Sequence, residues 1–134
     1  MTRYYDIDEA NAALPDVERI LLDLRDQREE LVRLRDQVVE AAEPAPSAPA
    51  GTAADTRTLR LRMQFLVDQM QAGVTRLVDR DVTLREIPTG LIDFPALASG
   101  RQIWLCWRLG EGPIEYWHEM DDGFAGRRLL ADLT

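Results

Sequence analysis

The only histidine of the chain, His118, lies between Trp117 and Glu119, with Asp121 and Asp122 close behind. An imidazole among carboxylates is the residue set of a metal ligand or a general base. A carboxylate–histidine–metal arrangement is a physically sound way to orient the ring. Oxygen ligands would come from Glu119 and from Asp93, Glu86, Asp121 or Asp122. The candidate metal centre is therefore His118, Glu119 and Asp93, and a divalent ion is the cofactor it would take. The competing reading keeps His118 as a hydrogen-bonded structural residue on the core side of a strand.

Gly123-Phe124-Ala125-Gly126-Arg127 adds a tight turn beside Arg127 and Arg128, a setting that suits a carboxylate or phosphate. In the alternative, Phe124 plugs the core edge while Arg127 pairs with Glu111, Asp93 or Glu119. Arg108 and Glu111 complete the candidate pocket set of Asp93, Arg108, Glu111, His118, Glu119 and Arg127. Cys106 has no second histidine and no helix N-terminus to activate its thiol. No nucleotide-binding loop, catalytic triad, CxxC or HExxH motif occurs.

These residues must be positioned by strands. Arg101 to Leu109 and Pro113 to Met120 are the best strands of the chain, joined at Gly110-Glu111-Gly112-Pro113. With residues 110–113 as the loop, Arg108 opposes Glu115, Cys106 opposes Trp117 and Leu105 opposes His118. That register puts Ile103, Leu105, Trp107, Tyr116 and His118 on the core face. Trp104, Cys106, Arg108, Trp117 and Glu119 share the other. The second face is too apolar for plain solvent exposure. Trp104, Cys106 and Trp117 therefore form a candidate contact face for a helix, a loop or a second subunit.

Upstream, Asp6-Ile7-Asp8-Glu9 reads as a capping box. A short helix over about 7–14 should bend at Pro15, which then opens a longer helix reaching about Ala42. Val17, Leu21, Leu24, Leu31 and Val38 form its apolar stripe, with Arg28 and Arg35 on the same seam. A Pro/Ala-rich stretch over 43–54 is expected to be a mobile hairpin tip. Asp55 or Thr56 caps a second helix to about Asp79, with Leu59, Met63, Leu66, Met70 and Leu77 at heptad-like steps. Val82–Ile87 and Leu91–Phe94 read as further strands, the second stopped by Pro95, with a loop over 96–100.

The expected fold is α+β: a long antiparallel helical hairpin (7–81) packed on a small antiparallel β-meander (82–120), with a turn and tail over 121–134. At 134 residues the chain supports a single domain. All 16 basic residues are Arg, and the net charge of −8 opposes a phosphate backbone, so no nucleic-acid partner is expected. No signal-like apolar segment or membrane-length run occurs, which points to the cytoplasm and to no membrane partner. A homodimer or another protein partner is the expected assembly.

YYDIDEANAALPDVERIL, GLIDFPAL and LCWRLGEGPIEYWHEMDDGFAGR together resemble a family of small bacterial proteins known as a domain of unknown function, the 2203 family. The resemblance spans nearly the whole chain. It implies that Asp93, Trp107, Arg108, Glu111, Trp117, His118, Glu119, Gly123, Phe124, Gly126 and Arg127 belong to the family pattern. It brings no reaction with it.

Overall fold

The computed structural model describes residues 3–42 and 52–133. Two helices, α1 (Ile7–Ala42) and α2 (Thr52–Asp79), precede five strands: β1 (Thr83–Glu86), β2 (Leu91–Ala98), β3 (Arg101–Arg108), β4 (Tyr116–His118) and β5 (Arg128–Leu129). The strands form one antiparallel sheet in chain order. This is the expected α+β layout of a helical hairpin on a β-meander.

The capping box forms as read: Glu9 N–H donates to Asp6 Oδ1 at 2.7 Å, and Asp6 N–H to Glu9 Oε1 at 3.3 Å. The bend at Pro15 does not form; α1 is continuous through it. A proline in a helix interior costs one hydrogen bond and some strain. Here the buried stripe Ala10, Leu14, Val17, Leu21 and Leu24 crosses the proline without a break, and all five face the same core. Their burial outweighs the lost bond. Farther along, Leu34 is buried while Arg35 and Arg28 stay exposed, so the seam follows the 3.6-residue period rather than a strict heptad. The second helix begins at Thr52, upstream of the predicted caps Asp55 and Thr56. Most of the Pro/Ala-rich tip, residues 43–51, lies outside the described residues.

Strand β2 runs through Pro95 instead of stopping there. The Pro95 carbonyl accepts from Tyr5 N–H at 2.8 Å, so that edge of the residue faces away from β3. The missing N–H therefore costs no bond in the β2–β3 ladder. Ser99 and Gly100, both at positive φ, make a two-residue turn in place of the predicted loop. Gly90 closes the β1–β2 turn at φ +65°, and a Cβ there would lie 2.4 Å from Leu109 Cγ.

The largest departure is at β3–β4. Trp104 pairs with His118, Leu105 with Trp117 and Cys106 with Tyr116, one residue away from the expected register. The connection is longer than a tight turn because side chains occupy its backbone groups. Trp107 Nε1–H donates to the Gly112 carbonyl at 2.6 Å, and Arg108 N–H to Glu111 Oε1 at 2.7 Å. Ile114 N–H donates to Asn11 Oδ1 of α1 at 2.8 Å. A one-residue slip exchanges the faces of a strand. Trp117 consequently joins Ile92, Phe94, Ile103, Leu105 and Trp107 in the core against the helices. His118 moves to the opposite face, beside Cys106 and Trp104.

Candidate functional site

Adjacent antiparallel strands now carry Asp93, Cys106 and His118 on one face, because Asp93 pairs with Cys106 and His118 with Trp104. All three are buried, at 2%, 1% and 2% exposure. Residues 120–124 fold back over this face, and with Arg85 and Leu91 they line a partly open cavity of about 410 Å³. The tail, rather than the helices, is what buries the site.

His118 Nδ1–H donates to the Glu119 carbonyl at 2.8 Å, since a carbonyl can only accept. The other ring nitrogen, Nε2, lies 2.9 Å from Asp93 Oδ1, with a hydrogen held between them. Asp93 Oδ2 accepts from Arg85 Nε–H at 2.8 Å. Arg85 is 42% exposed, so solvent screens that end of the network. Burial is the main force pushing the Cys106 thiol up to about 12, with Asp93 adding to it. A thiol held in that form is no nucleophile near neutral pH.

Of the predicted metal set, His118 and Asp93 meet, but Glu119 does not join them. Glu119 follows His118 and points its side chain away, where the carboxylate meets Arg101 at 3.0 Å. It offers His118 only a backbone carbonyl. Cys106 stands in its place: one donor atom each from Asp93, Cys106 and His118 lie within 4.8 Å of one another. The proposed contact face changes as well, because Trp117 is in the core and Cys106 is covered, which leaves Trp104 half-buried with Arg85 over its ring.

The other pocket candidates form a second cluster. Arg127 makes a two-pronged contact with Glu111, its Nη1–H donating to Oε2 at 2.8 Å. Its guanidinium also lies over the rings of Tyr116 and Phe124, and that of Arg108 lies 5.2 Å from the Phe124 centroid. Arg127 is thus committed to Glu111 rather than to an incoming anion. Burial works to raise the Glu111 carboxyl. The Arg127 hydrogen bonds and charge, with the Arg108 N–H and charge, outweigh it and hold the pKa below the ordinary value. A depressed carboxyl contributes stability that is present above its unfolded-state pKa and is lost as pH falls through the folded one. Glu111→Gln should therefore cost stability at neutral pH and nothing in strong acid. Chemical denaturation of both proteins across the acid range checks this; a pH-independent difference would contradict it.

Arg85 and Tyr116 were missed in the sequence reading. The period-two pattern of β1 places Arg85 on the face of Asp93, a usable signal for the first. Tyr116 was assigned to the core face by the slipped register.

A family model described as "Uncharacterized conserved protein (DUF2203)" matches residues 3–130. The chain belongs to that family. That description assigns no reaction. No curated protein and no solved structure matches the chain.

Proposed function

We propose that this chain is a non-enzymatic bacterial protein of the cytoplasm that self-associates through its helical hairpin. The reactive side chains of the sheet are spent on one another: His118 on Asp93 and a carbonyl, Glu111 on Arg127, and Cys106 as a buried thiol. A free buried thiol also suits a reducing compartment. Among the described residues, no helix is long and apolar enough to cross a membrane.

The observation that carries the proposal is the outer face of α2. The hydrophobic core takes α1 residues between Ala10 and Leu24 and α2 residues between Met70 and Leu77. Beyond them the two helices continue as an arm whose buried described residues are Leu34 and Leu66. One seam between two helices is little support in water. Along this arm of α2, Leu61 and Phe65 remain 65% and 59% exposed, one helical turn apart, and Leu61 lines a groove with Ala41 and Ala42 of α1. Ala72 continues the row seven residues after Phe65.

The occupant we assign to this row is a second copy, packed antiparallel across a two-fold axis near Phe65. Charge supports that choice. Before Phe65, α2 carries Asp55 with Arg57, Arg60 and Arg62; after it, Asp68 and Asp79 with Arg76, so a basic half is followed by a weakly acidic one. Arg62 is held by Glu30 of α1, its Nε–H donating to Oε1 at 2.7 Å, so an antiparallel copy would set the Arg57–Arg60 segment beside the segment that carries the partner's Asp68.

Position 65 should then meet itself. Phe65→Cys adds an exposed thiol to a chain whose one native cysteine is buried. Mild oxidation should cross-link this variant into a covalent dimer, whereas Leu97→Cys, exposed on the sheet, should stay monomeric on a non-reducing gel. Equal cross-linking of the two variants, or none at position 65, would contradict the proposed axis.

A further inference from the structure

The covered sheet face holds a feature that self-association does not use. We infer that Asp93, Cys106 and His118 form a three-ligand site for a zinc-class divalent ion, with the fourth position open to the cavity beneath residues 120–124. This stands independently of the hairpin dimer.

Four observations support it. The donor atoms span the nitrogen, sulfur and oxygen types that such ions accept, whereas a thiol and an imidazole are poor ligands for Mg²⁺ or Ca²⁺. Their mutual distances, within 4.8 Å, approach the edges of a tetrahedral site. Those edges are about 3.3–3.8 Å for metal–donor bonds of roughly 2.0–2.3 Å. A small turn of the side chains closes the difference. All three ligands stand on neighbouring strands, which position a site more firmly than loops do. Finally, the Glu119 carbonyl already fixes His118 by its Nδ1–H, leaving Nε2 as the coordinating atom, as the outer shell of a histidine ligand does.

Charge balance favours the exchange. The metal-free site holds one hydrogen between His118 and Asp93 and one on the Cys106 thiol. A dication entering at Nε2, Oδ1 and Sγ displaces both protons to solvent. The buried charge of the three groups plus ion is unchanged, so no uncompensated charge is left in the interior. Asp121 and Asp122 line the cavity with Arg85, and two carboxylates against one guanidinium leave its mouth net negative towards an incoming cation.

The test is a Co²⁺ titration of untagged, chelator-stripped protein near neutral pH. One Co²⁺ per chain should bind saturably, with a near-ultraviolet thiolate-to-cobalt charge-transfer band and the intense visible bands of four-coordinate cobalt. Zn²⁺ should abolish both. Cys106→Ser should remove the charge-transfer band, and His118→Gln should weaken Co²⁺ binding more than about tenfold, the scale of an outer-shell loss alone. Glu119→Gln, which spares the carbonyl, should leave the band intact. Failure of wild-type protein to develop a saturable thiolate band overturns the inference, whether or not the variants fold. So does a band that survives in folded Cys106→Ser.

Discussion

Replacing either member of the buried His118–Asp93 pair should destabilise the metal-free protein by about 3–5 kcal/mol. For a chain of this length that lowers Tm by roughly 10–20 °C. His118→Phe leaves the Asp93 carboxylate, 2% exposed, with Arg85 and a thiol as its remaining partners. Asp93→Leu leaves Nε2 of His118 facing a hydrocarbon. In both cases most of the cost is a polar group stranded without its partner. The double variant removes both stranded groups and should lose clearly less than the two single losses combined. Thermal and denaturant unfolding of the four proteins closes the cycle. Additive losses, or a single loss below about 1 kcal/mol, would mean that the pair is not the buried unit its geometry indicates.

That pair also marks where the sequence could be read and where it could not. The capping box at Asp6, the hairpin helices and the alternation of β3 are local patterns, and each appears as expected. Pro15 is over-read as a bend and Pro95 as a stop. A local rule gives the cost of a proline but not the burial on either side of it, nor which edge of a strand its nitrogen faces. The β3–β4 register was lost for a different reason. Gly110 to Pro113 carries the signal of a tight turn, yet three bonds hold the longer path: Trp107 to Gly112, Arg108 to Glu111, and Ile114 to Asn11. The last spans 103 positions of sequence, beyond any local pattern. A one-residue error then exchanged His118 and Trp117 between faces. It hid the meeting of His118 with Cys106 and gave the exposed sheet face a tryptophan that belongs to the core.

With Trp117 buried, the proposed self-association would rest on the helices rather than on the sheet. Leu61→Glu combined with Phe65→Glu should raise the dimer dissociation constant at least about 100-fold, or roughly 2.7 kcal/mol. The magnitude follows from symmetry: each substitution appears twice across a two-fold axis, and the new carboxylate at position 65, on the axis, faces its own copy. Monomer folding should be almost untouched, since both side chains are more than half exposed. Circular dichroism should therefore match that of the parent chain. If the double variant keeps the parent's assembly, the outer face of α2 is not the interface.

Sedimentation equilibrium of the untagged native chain at micromolar concentration tests the central claim most directly. Self-association through the hairpin predicts a species of twice the 15.3 kDa chain mass that reverts to single-chain mass in the Leu61→Glu, Phe65→Glu protein. A native protein that sediments as a single 15.3 kDa chain across that range would contradict it.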